Sequence, residues 1–346
     1  MATQCFGSGS GDACGVAGST CLGGDFAEVA EDVEEAEGSM ARSGTLDWTV
    51  PEASAYVVAD KLLRARNSGE QLTPEAMASL NITMKRTPLI HAALRSQEKC
   101  TGWKIGFTGA TVPPAYVGLA PIMAPLLSSS VFYDADSSNG VVTLKHPRGG
   151  RKPLGRGTFG RGASQPLMLC AVEAEFCFIL HRDLTCDKGI FFDDPPLTEA
   201  MVWEAIGGVA PALEVLGSRV SNVDLTTIAL PRPAVAELVA DFGGGAYVII
   251  GHPVDKRNVD LESLISGAVE LKVNNLLVGE GTGAKVLGSP LKALAWLANA
   301  RAALGDPLRA GDVVMTGACI GPLAVQPGDA ASATFAGLGT VECKFD

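Results

Sequence analysis

Glu173 and Glu175 stand two residues apart in the run Ala171–Leu180, AVEAEFCFIL. Side chains alternate along a strand, so acids at this spacing share a face, ~7 Å apart along the backbone. That face carries Ala171, Glu173, Glu175, Cys177 and Ile179, while Val172, Ala174, Phe176, Phe178 and Leu180 occupy the other and read as core. Two like charges among apolar neighbours are costly unless a cation lies between them. A third acid, Glu214, sits in a second strand-like run, Ala212–Val215. Three convergent carboxylates suit a hard divalent cation, Mg²⁺ or Mn²⁺, that keeps some positions for water or substrate.

Lys104 is the next candidate, set between Trp103 and Ile105 in Gly102–Thr108. A lysine in a short apolar strand is either an edge charge that snorkels to water or a functional cation, and local sequence leaves both open. Other chemistries find less support. Gly281-Thr282-Gly283 lacks a following helix at phosphate-cradle spacing. No serine has the G-x-S-x-G elbow, and His91, His146, His181 and His252 lack metal-ligand spacing. His91 reads as an ordinary helix-face histidine.

These residues need a scaffold. The chain has 346 residues, 47% of them hydrophobic, so a sizeable core can form. Aromatics are sparse at 6%, while 41 glycines and 20 prolines favour a turn-rich β or mixed fold. Helices are expected over Ser54–Arg66, Arg86–Lys99, Glu199–Gly208, Ala234–Val239 and Leu291–Ala303. Strands are expected over Ala171–Leu180, Ala246–Ile250, Ala284–Leu287 and Asp312–Thr316, and within Ala331–Phe345. Leu261–Asn274 reads as β structure or as a helix start, with β structure again over Asn275–Val278.

The formal charge is −11, and residues 1–44 hold eight acids against one base, a net of −7. Residues 1–45 are expected to be a disordered acidic tail, and 46–346 the catalytic domain. Residues 145–167 carry six bases and no acid, and read as a basic solvated loop, or as a cationic lid over an anionic substrate or a dock for the acidic tail. The acidic balance argues against a nucleic-acid partner. No apolar run reaches a membrane span. The nine cysteines form no C-x-x-C pair and read as reduced thiols, most of them in the core, which with the lack of a visible leader points to a cytoplasmic protein.

The order of motifs then points to a family. Gly102–Thr108 (GWKIGFT), Val172–Phe176 (VEAEF), Ala212–Val215 with Ser218-Arg219, Gly281–Pro290 (GTGAKVLGSP), Ala293–Asn299, Leu308–Val314, Gly328-Asp329 and Phe335–Gly339 occur in sequence. Over roughly residues 52–346 the chain resembles the 2-keto-4-pentenoate hydratase / 4-oxalocrotonate decarboxylase branch of the fumarylacetoacetate hydrolase superfamily. The resemblance implies an α+β fold, a mixed β-barrel or β-roll with surrounding helices. It implies an Mg²⁺ or Mn²⁺ site on Glu173, Glu175 and Glu214, with Lys104 as the active-site lysine. Val239-Ala240-Asp241 matches a Val-Ala-Asp-Asn stretch near the site, which makes Asp241 a second catalytic candidate. It further implies a small-molecule 2-oxo acid substrate, a homo-oligomer, and lyase chemistry through a metal-stabilised enolate. An acylpyruvate-type C–C hydrolase and a catalytically silent binding homologue are the alternatives.

The chain also departs from that pattern. Phe242 and Gly243–Gly245 replace an Asn followed by small and hydroxyl residues, Gly317-Ala318-Cys319-Ile320 replaces Gly-Ser-x-Thr, and Gly217 replaces an Asp. A pocket that loses hydroxyls and gains Phe242 and Ile320 is expected to favour a more apolar substrate.

Overall fold

The carboxylate strand lies inside a large, mostly antiparallel sheet. The structure, a computed structural model, describes residues 51–109, 118, 120–134, 140–144, 171–185, 196–223, 225–226 and 232–346. The acidic segment 1–45 and the basic segment 145–167 lie outside the described residues. The strands are β1 (Cys100–Gly106), β2 (Ile122–Leu127), β3 (Val131–Tyr133), β4 (Val141–Leu144), β5 (Ala171–Leu180), β6 (Ile206–Leu216) and β7 (Gly245–Ile250). They continue as β8 (Val254–Asp255), β9 (Val269–Val273), β10 (Leu276–Gly281), β11 (Val313–Ala324), β12 (Ala330–Phe335) and β13 (Gly339–Phe345).

Eight strands form one sheet in the order β2-β1-β11-β5-β6-β7-β3, with β8 paired to β6, and five form a second in the order β10-β9-β12-β13-β4. The alternation of β5 sets how the sheets meet. Val172, Ala174, Phe176 and Phe178 are buried in a core shared with Leu271, Ala333, Phe335, Val341 and Phe345 of the second sheet. Phe176 and Phe335 meet edge to face, with centroids 4.9 Å apart and planes at 73°. Burying one such ring is worth about 2–3 kcal/mol, and the edge-to-face geometry adds about 1 kcal/mol. The opposite face of β5 is therefore left for chemistry.

Helices flank the sheets. Ala53–Ser68 ends at Gly69, whose φ of 77° lets its N–H close on Ala65 O. It packs with Thr87–Gln97 in an apolar cluster that includes Leu62, Ile90, Leu94, Ala240 and Phe242. Pro290–Ala303 starts on Ser289, whose hydroxyl accepts from Leu291 N. The expected α+β character is thus observed, with helices around two sheets.

Two elements differ from the sequence expectation, each for a packing reason. The helix at Glu199 stops at Ala205, and Ile206–Val209 enters β6 instead of continuing the turn. A Cβ at Gly207 would lie 3.0 Å from His181 Cβ, so this glycine serves close approach to the end of β5. Ala284–Leu287 is no strand: Gly283–Lys285 forms a 3₁₀ turn, because Gly283 sits on the Leu264 backbone where a Cβ would meet Leu264 O at 1.8 Å. Leu261–Asn274 contains both expected elements, the helix Leu261–Ser266 followed by β9.

Candidate metal centre

Pairing of β5 with β6 puts Glu173 directly opposite Glu214 and Glu175 opposite Ala212. Like charges directly opposite each other destabilise a sheet. Here Glu173, Glu175 and Glu214 each offer an oxygen, and these oxygens lie within 4.8 Å of one another. Among the described residues no other trio of His, Cys, Asp or Glu comes together this way. Glu175 and Glu214 are fully buried, while Glu173 is half-buried and marks the side open to solvent.

β11 is irregular opposite these acids. Its register against β5 shifts between Met315 and Ala318, again to Ile320, and again to Leu323. The first irregularity contains Gly317, whose φ is 99° and whose N–H donates to Glu175 Oε2 at 2.9 Å. The third contains Gly321, where a Cβ would meet Glu173 Cγ at 2.7 Å. Both glycines are spacers that let β11 pass over charged side chains.

Lys104 arrives from β1, which pairs with β11 through Lys104 and Met315. Three strand spacings separate β1 from β6, ~14 Å in a flat sheet. Yet Lys104 Nζ lies 3.0 Å from Glu214 Oε1. The length of both side chains and the curl of the sheet close the gap. The same ammonium donates to Gly243 O at 3.0 Å. The residue is 3% exposed, so of its two sequence readings the snorkelling edge charge fails.

Glu175 Oε1 and Glu214 Oε2 are buried without a hydrogen-bond partner, and Glu214 Oε1 has the Lys104 ammonium at ion-pair distance but outside hydrogen-bond geometry. Orphaned buried carboxylate oxygens are rare because each forfeits its solvation. Three carboxylates and one ammonium leave a formal −2 when all are ionised, which one divalent cation neutralises. The donor set, all oxygen and all anionic, fits Mg²⁺ or Mn²⁺.

The electrostatics of the site agree. Burial, then the Glu214 charge, pushes the Glu173 carboxyl up to about 8. Burial, then Glu214 and Glu173, raises Glu175 well above the usual carboxylate range. Burial pulls Lys104 down, but Glu214, Glu175 and Glu173 outweigh it and hold the ammonium above its ordinary value. A carboxyl raised in the fold stabilises the protein below its unfolded value and loses that contribution as pH rises through the folded one. Metal-free protein is therefore expected to lose thermal stability between pH 4.5 and about 8. Apparent metal affinity should rise across the same window as protons leave. Melting curves in chelator and in excess Mg²⁺ check this: a metal-free Tm that does not fall over that range contradicts it.

Asp241, the second catalytic candidate, does not join the acids as a free group. Its Oδ1 accepts from Arg219 Nε, and its Oδ2 accepts from Arg219 N at 3.0 Å and Ser218 Oγ at 3.1 Å. Both Asp241 oxygens are thus taken up by Arg219 and Ser218. Phe242 lines a cavity together with Glu214, Arg66 and Tyr247, while Ile320 is not among that cavity's lining residues. The Phe242 ring stacks beneath Arg219 and Arg66, at 4.9 and 5.8 Å from their guanidinium carbons. Ile320 packs under β10, where a Cβ at Gly279 would meet Ile320 Cγ2 at 2.4 Å. His91 is buried on its helix with its ring against Val239 O at 2.8 Å, and burial pulls it down to about 4. Of the described cysteines, Cys177, Cys319 and Cys343 are buried free thiols and Cys100 is a half-buried one.

Residues 199–346 match the fumarylacetoacetate (FAA) hydrolase C-terminal family. A 2-keto-4-pentenoate hydratase of Paraburkholderia xenovorans (strain LB400) is 36% identical over 194 residues, 55% of this chain and 65% of that protein. The chain thus spans just under two thirds of that relative's length. A 2-hydroxyhexa-2,4-dienoate hydratase of Comamonas testosteroni is 30% identical over 251 residues, 72% of this chain and 80% of that protein. The solved structure of 4-oxalocrotonate decarboxylase from Pseudomonas putida G7, complexed with magnesium and adipate, covers 88% of this chain and 100% of its own at a TM-score of 0.63. Identity to that structure is 23%, so the likeness is one of fold. With the family match over residues 199–346 and a hydratase relative that is 30% identical and covered over 80% of its length, the chain belongs to the fumarylacetoacetate hydrolase family.

Proposed function

We propose that the chain is a divalent-metal-dependent lyase acting on a 2-oxo acid or its 2-hydroxydienoic tautomer, of hydratase or decarboxylase type. The observation that carries this reading is the buried trio Glu173, Glu175 and Glu214 with orphaned oxygens beside an ammonium. The names of the hydratase relatives support the substrate class.

Glu173, Glu175 and Glu214 would hold Mg²⁺ or Mn²⁺. When bound, the cation supplies a Lewis acid that favours negative charge on the carboxylate and keto oxygens of a 2-oxo acid. Gly317 N–H fixes Glu175 through one oxygen and leaves the other for ligation. Lys104 stays charged at neutral pH and is placed to shuttle a proton. For a 2-hydroxypenta-2,4-dienoate, ketonisation moves the hydroxyl proton away and delivers one to C5. Water then adds across C3=C4, its hydroxyl to C4 and its proton to C3. The half-buried Glu173 faces the solvent side from which substrate and water reach the buried pair.

Incubation of 2-hydroxypenta-2,4-dienoate with the Mg²⁺-loaded protein is expected to remove the dienoate's ultraviolet absorbance and to yield the 4-hydroxy-2-oxo acid. Metal-saturated protein that turns over neither this compound nor an oxalocrotonate-type diacid contradicts the reading.

A further inference from the structure

Lys104 is held by a backbone carbonyl, and that carbonyl belongs to an unusual loop. Phe242, Gly243 and Gly244 follow one another at φ of 56°, 60° and 78°, all in the left-handed region. The two glycines adopt this shape at no steric cost, but Phe242 does so against its preference and needs something to hold it there. The surroundings leave no room for side chains. A Cβ at Gly243 would lie 3.2 Å from Lys104 Cδ, and one at Gly245 would lie 2.6 Å from Glu214 Oε1. The glycines thus close over the Lys104–Glu214 pair.

Arg219 spans the loop. At its start Nε donates to Asp241 Oδ1 and Nη2 to Asp241 O, and at its end Nη1 donates to Gly245 O at 2.8 Å. Its guanidinium also covers the Phe242 ring at 4.9 Å. Gly244 N–H closes on Asp241 O at 3.0 Å, and Gly244 O accepts from Gly217 N at 2.9 Å. Ser218 Oγ donates to Asp241 Oδ2 at 3.1 Å. A fully buried ion pair is a poor way to gain stability, and its better attested use is to specify one arrangement.

We propose that Arg219 and Asp241 are a positioning pair for Lys104: by clamping both ends of the Asp241–Gly245 loop they present the Gly243 carbonyl that seats the ammonium against Glu214. This rests on Lys104 being an active-site group, as proposed above. Neither residue touches the reacting atoms. Lysine's point charge cannot reproduce the fork of donors that reaches both Asp241 and Gly245.

The test compares the full-length protein with Arg219→Lys and Ser218→Ala, each metal-free and each shown folded by circular dichroism. Acylation of Lys104 by an N-hydroxysuccinimide ester is followed by peptide mass spectrometry, with exposed Lys61 and Lys292 as internal standards. Alkylation of buried Cys343 reports general opening. The expected result is Lys104 labelling at least about fivefold faster in Arg219→Lys, with Cys343 still protected, together with a kcat about 10–100-fold lower at little change in KM once the same proteins are reloaded with Mg²⁺, the scale of a small displacement of a catalytic group. Unchanged Lys104 labelling, or Lys104 and Cys343 opening together, overturns the proposal. Should Arg219→Lys not fold, Ser218→Ala decides: a smaller rise in Lys104 labelling supports the pair, and none overturns it. Wild-type protein without turnover on any 2-hydroxydienoate would sink the proposed function, while the labelling ratio would still judge the positioning pair.

Discussion

A Glu175→Gln protein is expected to turn over a 2-hydroxydienoate at least about a thousandfold more slowly, about 4 kcal/mol of lost transition-state stabilisation. The same protein, metal-free, is expected to melt higher than its parent. Both follow from one environment. Glu175 is fully buried, one oxygen accepts from Gly317 N–H, and the other has no partner. Glutamine keeps the volume and still accepts from Gly317. It removes a carboxyl that burial, then Glu214 and Glu173, keep from ionising, so without metal the fold no longer bears the cost of holding it protonated at neutral pH. It also removes an anionic ligand, so with metal the site loses. Turnover and metal-free Tm, measured on the same preparation, check the pair of signs. A variant that is both active and unchanged in Tm contradicts them.

Lys104→Met should separate catalysis from metal binding. The ammonium lies 3.0 Å from Glu214 Oε1 and competes with any cation for that oxygen. Its removal leaves the trio with a formal −3 and one fewer positive charge nearby, so metal affinity is expected to hold or to rise. Turnover is expected to fall by about 10²–10⁴-fold, the range of a lost general acid or base. Methionine keeps the length and apolar stem of the side chain, so the cavity stays filled. Metal affinity that falls in step with turnover would place Lys104 among the groups that build the metal site and not among those that move protons.

Much of this site is legible in the linear chain because strands have period two. Alternation in Ala171–Leu180 puts Glu173 and Glu175 on one face and Phe176 on the other, and the pairing of the sheets follows from the same pattern. Glu214 is legible as an acid in an apolar run. What is not legible depends on strand order. The β1-β11-β5-β6 neighbourhood joins residues more than a hundred positions apart, so the Lys104–Glu214 ion pair has no local signal. β11 is expected to end near Thr316 but runs to Ala324, because Gly317, Gly321 and Pro322 interrupt its pattern while the ladder continues through register shifts. Asp241 shows what a motif leaves out. Its place beside the site can be inferred, but its partner Arg219 lies 22 residues away, and only the folded loop shows that the two oxygens are already occupied. Phe242 is similar, since its contacts with Arg66 and Arg219 also come from the folded loop and have no local signal.

The central claim is that Glu173, Glu175 and Glu214 grip one divalent ion. Titration of chelator-stripped protein with Mn²⁺, followed by the loss of the free-ion electron paramagnetic resonance signal, tests it without any assumption about substrate. One ion per chain is expected for the parent, displaced by excess Mg²⁺, with binding abolished or weakened at least about a hundredfold in Glu175→Gln. Binding of equal stoichiometry and strength in Glu175→Gln, or no tight ion in the parent at neutral pH, would contradict it.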